Sequence, residues 1–391
     1  MLKRRILFAL LVVILLIPLW MWLAWLLTPK KKFVFAIVDK TVLTRKGQEH
    51  TSLTWMLNNN SLTKTPTQRY KVSHDYFGFF PGDKKQYKVK GLERFSSAQL
   101  NQLSVDADAA YFTDTYGIYR NEWYGRSDIN ARSPIIYGGL SSQDVEFLKD
   151  MKARHKLILA EFNTLNTPTV PGNRYTFENL FGLHWTGWMA RYFVSFDTAI
   201  NKDLPRWLVR DYQNEHHQRW PFHNTPGVAY VSDADQVVVL IDSVDLTDPM
   251  PHILTAGYAQ QHLSLPPDIK YSYWIDVITP DVSINHVLAR FDVKVNRKGA
   301  EQLKEWGIPN TFPAILMHRD TDYRFYYFSG DFCDNPIGMG SSYFKGIQAF
   351  KWLYYNSEDL TERGGFFWNF YRPMMQHILD DNMDLASKKI K

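Results

Sequence analysis

The first chemistry the sequence offers is a set of carboxylates able to share one cleft. Asp114 and Glu122 lie in Thr113-Asp-Thr-Tyr-Gly-Ile-Tyr-Arg-Asn-Glu-Trp123, and Glu161 begins Glu161-Phe-Asn163. Two carboxylates facing a substrate can act as acid and base, as in glycoside hydrolysis. The same stretches supply Tyr116, Tyr119 and Asn163, and His184-Trp-Thr-Gly-Trp188 followed by Arg191 adds Trp185, Trp188 and a guanidinium. Flat amphipathic rings with a few fixed donors suit hydroxyl-rich ligands such as sugars. Each of these residues also has a plainer role. Asp114 and Glu161 can cap helices or hold loops, and the two Trp can pack a core.

Other polar groups carry less. His216 and His217 are neighbours, and adjacent helical side chains point apart, which favours solvation over a shared metal. His318-Arg-Asp320 reads as a strand tip that can lend a base to the cleft. Asp331, Asp334 and Asn335 bunch oxygen ligands in Gly330-Asp-Phe-Cys-Asp-Asn-Pro336, which leaves a divalent cation open, although an Asx-type turn is the cheaper explanation. No metal site and no cofactor are expected. The single Cys333 excludes an intrachain disulfide and any multi-cysteine cluster. It lies in a turn without a neighbouring His and is expected to be dispensable.

The elements that must position these groups are legible around 107–163. Ala107–Asp114 is an apolar run with a polar tip, the pattern of a buried strand. A helix is expected from Ser141 or Ser142, with Val145, Phe147, Leu148 and Met151 on one face and Asp144 and Glu146 at its positive end. Lys156–Asn163 is the next strand. Strand, helix and strand make a right-handed βαβ unit, and ligands of open parallel sheets sit at the carboxyl ends of the strands. That rule gathers Asp114–Glu122, Glu161–Asn163 and His184–Arg191 at one edge. Further along, Gly182 closes a helix carrying Phe177, Leu180 and Phe181. Gly227–Ser232 and Gln236–Asp242 read as a hairpin, and Ala314–His318 pairs with Tyr323–Ser329.

The Gly138-Gly139 turn, the crossover strand and Arg174…Phe177-Glu-Asn-Leu-Phe-Gly182 resemble the class I glutamine amidotransferase-like superfamily, in particular its non-catalytic branch. The resemblance covers 33–240, with a last strand at Arg324–Ser329. Active members carry a Gly-x-Cys-x-Gly elbow, whereas this chain has Ala160-Glu-Phe-Asn163 there. The resemblance therefore implies the scaffold without glutamine hydrolysis.

The 391 residues are ordinary in apolar and charged content but rich in aromatics, with 13 Trp, 22 Tyr and 25 Phe. The net charge of +5 is spread over the chain ends, so no nucleic-acid footprint is expected. Ile6–Leu27 is an uninterrupted apolar run, long enough by helical rise for a ~30 Å hydrocarbon core. The expected architecture is α/β, flavodoxin-like, with a mostly parallel sheet, helices on both faces, a β-rich C-terminal elaboration and one preceding transmembrane helix. Residues 1–31 are read as a membrane anchor, 32–250 as the amidotransferase-like domain and 251–391 as its completion. The expected setting is a single-pass inner-membrane protein whose body lies outside the cytoplasm, in contact with lipid through Ile6–Leu27. There it would bind a glycan or an envelope protein partner in cell-envelope polysaccharide metabolism. A carbohydrate-active hydrolase using Asp114, Glu122 or Glu161 is the alternative.

Overall fold

The computed structural model describes residues 2–125, 133–359 and 361–388; among its helical residues, the side chains of 2, 3, 5–12 and 384–388 are left undescribed. Among the described residues the chain builds one ten-stranded sheet and one four-stranded sheet, with two further two-stranded pairs.

At the centre of the large sheet, Arg324–Phe328, Leu157–Glu161, Ala109–Asp114, Phe35–Asp39 and Phe77–Pro81 lie side by side and parallel. Alternation along these strands divides the core in two. Phe35, Ile37, Tyr111, Leu157 and Leu159 face helix Thr51–Asn59 and the C-terminal helices. Ala36, Val38, Phe112, Ile158 and Ala160 face helices Ser142–Ala153 and Pro171–Phe181. Helix Ser142–Ala153 starts as its sequence indicates: Ser141 Oγ accepts from Asp144 N at 3.1 Å, and Asp144 Oδ2 accepts from Ser141 N at 2.8 Å. Gly182 ends the second of these helices at φ 68°, where a Cβ would meet Ile284 at 2.8 Å.

The sheet is mixed rather than mostly parallel, which corrects the flavodoxin-like expectation. Five of its nine strand pairings are antiparallel: Tyr87–Lys90 at one edge, and Asp268–Lys270, His252–Thr255, Asn285–Asp292 and Thr311–His318 at the other. Short turns permit only antiparallel neighbours, whereas the parallel centre needs helical crossovers. The second sheet, Val237–Ile241, Gly227–Ser232, Leu183–Phe193 and Trp274–Pro280, is antiparallel throughout.

The amino-terminal helix, Leu2–Leu27, needs a second correction. Among the described residues no helix is long and apolar enough to cross a membrane. Residues 6–12 of the expected span lie outside the described side chains. The helix contains Pro18 and turns its far end onto the body. Trp25 is buried and its Nε1 donates to Asn58 O at 2.9 Å; Arg69 stacks on the Trp25 ring at 3.9 Å, and Lys345 N donates to Met21 O. The transmembrane anchor, the inner-membrane location and the body outside the cytoplasm are withdrawn, together with the lipid contact.

Candidate functional site

Four parallel strands end in, or just before, a carboxylate at the same edge: Asp39, Asp114, Glu161 and Asp331. Asp39 is fully buried; its Oδ2 faces His50 Nδ1 at 2.7 Å and accepts from Glu49 N at 2.9 Å. These bonds fix the segment that leads into helix Thr51–Asn59 and set Glu49 at the edge.

Asp114 ends its strand beside Asn163. Asp114 Oδ1 accepts from Thr41 Oγ1 at 2.5 Å and Tyr116 N at 2.6 Å, and Oδ2 accepts from Asn163 Nδ2 at 3.0 Å. Burial raises its pKa to about 7, against the pull of those three donors. Asn163 stands at φ 66°, in the left-handed region, at the turn following strand Leu157–Glu161. The strand end Ala160-Glu-Phe-Asn163 carries no Cys.

Glu161 lies beneath this layer. It is fully buried, accepting from Tyr111 Oη at 2.7 Å and Cys333 N at 3.2 Å. Burial, then the charge of Asp331, pushes its pKa well above the usual carboxylate range. Glu122 is exposed and accepts from Tyr119 N at 3.2 Å, as a helix-capping residue does. Tyr116 and Tyr119 are half-buried, with ring centroids 4.9 Å apart.

The Trp pair does not form a sugar shelf. Trp185 packs in the core with its Nε1 on Trp188 O at 2.9 Å, and Trp188 lies edge-on to Trp306. The extended strand Leu183–Phe193 points alternate residues to opposite faces, and both rings serve cores. His184 is exposed beside Glu178. His318 sits at the opposite end of the sheet, because its strand runs antiparallel to Arg324–Phe328; it bonds Asp322 at 2.6 Å. It therefore lends no base to the edge. His216 stacks on Tyr212 at 3.9 Å, and both His216 and His217 are exposed.

Arg191 does reach an open space. It lines a cleft of about 480 Å³ with Asn201, Asp203, Tyr273, Glu362 and Arg363. Arg191 and Arg363 both lie against the Tyr273 ring, at 4.8 and 3.7 Å from its centroid. Arg363 also bonds Asp334 Oδ2 at 2.7 Å, whereas Arg191 has no ion pair among the described residues and its Nε has no hydrogen-bond partner. Burial lowers the Arg191 pKa. Beside the cleft, Glu49, Asp331 and Asp334 converge. Desolvation raises Glu49 and Asp331 well above the usual carboxylate range, and the charge of Asp334 is the next cause for both.

Sequence reasoning missed Glu49, Tyr273 and Arg363. Glu49 sits in a polar run directly before a helix, and Arg363 precedes Gly364-Gly365; neither setting separates them from ordinary surface residues. Only the convergence of three distant segments marks them.

No family model matches the sequence, and no curated protein matches it. Among solved structures the chain is similar to a putative ThuA-like protein from Bacteroides uniformis, at 9% identity over 84% of this chain and 93% of that one, with a TM-score of 0.33. A second, from Parabacteroides merdae, is 7% identical over 77% and 79%, with a TM-score of 0.34. ThuA-like proteins belong to the class I glutamine amidotransferase-like superfamily. A β-galactosidase from Bacillus circulans sp. alkalophilus matches at 9% identity over 59% of this chain but only 21% of its own length, with a TM-score of 0.26. Likenesses at these scores locate no residue and assign no activity.

Proposed function

We propose that this chain is a binding protein for a polyhydroxylated ligand, a glycan or glycan fragment, on an amidotransferase-like scaffold of the non-catalytic kind. The observation that carries the reading is the stack of Arg191, Tyr273 and Arg363 lining the cleft. Its volume of about 480 Å³ falls within the ~300–1,000 Å³ range of small-ligand pockets. Arg191 and Arg363 line the cleft, and their guanidinium groups are donors of fixed direction beside the Tyr273 ring. Thiol chemistry is disfavoured by Asn163 at the strand turn and by the burial of Cys333. The envelope setting rested on the withdrawn anchor and is not carried forward.

Calorimetric titration of the full chain with a panel of neutral and acidic oligosaccharides tests this. Saturable binding that weakens at least tenfold in Arg191→Ala, with Tm unchanged, is expected. No binding across the panel overturns the reading.

Hydrolysis keeps one specific support, the Asp114 pKa of about 7, which suits a proton donor near neutrality. Release of reducing ends, abolished in Asp114→Asn, would favour that alternative.

A further inference from the structure

The turn after strand Arg324–Phe328 and the segment before helix Thr51–Asn59 bring three carboxylates together from opposite ends of the chain. One oxygen each from Glu49, Asp331 and Asp334 lies within 4.8 Å of the other two. Atoms no more than 4.8 Å apart share a centre within about 2.8 Å of each, close enough for one ion to be held by all three. We propose that Glu49, Asp331 and Asp334 bind one hard divalent cation. This site is separate from the ligand contacts of Arg191 and stands whether or not the cleft takes a glycan.

A second observation points to a ligand. Asp331 is only 4% exposed, its side chain reaches into this cluster, and its Oδ1 has no hydrogen-bond partner. A buried carboxylate oxygen left without a donor is rare in a folded protein and costly, and a metal ion satisfies it. Glu49 is likewise without a hydrogen bond or ion pair on its carboxylate among the described residues, although its backbone N–H is bonded to Asp39. Arg363 is the cation bonded at the cluster, and that bond goes to Asp334. One positive charge set against three carboxylates leaves room for two more. Asp39 and Asp114 stand at the same edge and add to the negative field.

The donor set selects the ion. All three ligands are carboxylate oxygens, which suit hard cations and disfavour the softer ions that take thiolate or imidazole. Three protein ligands leave the remaining coordination positions to water or to a ligand hydroxyl.

The test uses the full chain, dialysed against chelator and then titrated with calcium chloride alone. Calorimetry should show one saturable site per chain, and Tm should rise with calcium concentration, because an ion that binds only the folded form stabilises it by mass action. Glu49→Gln and Asp334→Asn, each confirmed folded by circular dichroism, should each weaken binding at least tenfold. Absence of both heat and Tm shift with calcium overturns the proposal, as does undiminished binding in both folded variants.

Discussion

Asn163 Nδ2 donates to Asp114 Oδ2 at 3.0 Å, joining the carboxyl ends of two adjacent parallel strands. The bond does two things at once. It satisfies a buried carboxylate, and it holds Asn163 at φ 66°, a conformation that Asn tolerates better than most residues.

Replacing Asn163 separates the two contributions. Asn163→Gly keeps the backbone geometry and loses the side-chain bond, at a cost of about 1–3 kcal/mol for the buried oxygen left unpaired. Asn163→Ala adds the left-handed penalty of about 1 kcal/mol. Urea unfolding should rank wild type above Gly and Gly above Ala. If Ala equals or exceeds Gly, the left-handed backbone contributes nothing.

Glu161 is structural on this geometry. Glu161→Ala removes the acceptor for Tyr111 Oη and Cys333 N and leaves a cavity, with a loss of roughly 3–5 kcal/mol. Gln matches Glu in shape and can bond both partners once the Tyr111 hydroxyl turns to accept. Glu161→Gln should therefore cost under ~2 kcal/mol and leave cleft affinity unchanged. Equal losses in the two variants, read by chemical denaturation, would show that Gln restores neither bond.

Asp276 gives a pH signature. It is fully buried, accepts from Tyr327 Oη at 2.8 Å, and has its pKa raised to about 7 by desolvation. The unfolded chain releases this proton near 3.8. Between pH 4 and 7 the folded state therefore holds the extra proton, and stability falls as pH rises through that window, by up to ~1.4 kcal/mol per pH unit for one group. Above pH 7 its contribution is flat. Asp276→Asn should remove this share of the slope while Asp114, raised to about 7 as well, keeps its own. Denaturation curves from pH 4 to 8 with identical slopes in wild type and variant would contradict this.

Cys333 is sealed off. It is fully buried, with Sγ 3.2 Å from Tyr371 Oη, and burial pushes the thiol well above its ordinary pKa. A disulfide reagent should leave it unmodified in the native chain and titrate one thiol after denaturation. Rapid modification of the folded protein would show the assignment to be wrong. Cys333→Ser keeps the Tyr371 partner and should cost about 1–2 kcal/mol, a desolvated hydroxyl being the main loss.

Local patterns carried much of the central unit. The apolar strands ending in Asp114 and Glu161, the Ser141 cap and the Gly182 stop are short-range signals, because periodicity, capping and left-handed glycine each act within a few residues. They placed Asp114 and Asn163 at one sheet edge without any knowledge of packing. Strand pairing is another matter. Whether Thr311–His318 runs parallel or antiparallel to its neighbour depends on which turn or crossover feeds it, and that put His318 at the far end of the sheet. Burial was also decided at long range. Trp185 and Trp188 read equally as shelf or core until two layers closed over them, and Trp25 belonged to an apolar run until it met Asn58 and Arg69. The meeting of Glu49 with Asp331 and Asp334 belongs wholly to the tertiary structure. No spacing rule links residues so far apart, and like charges approach that closely only where a folded framework holds them against their repulsion.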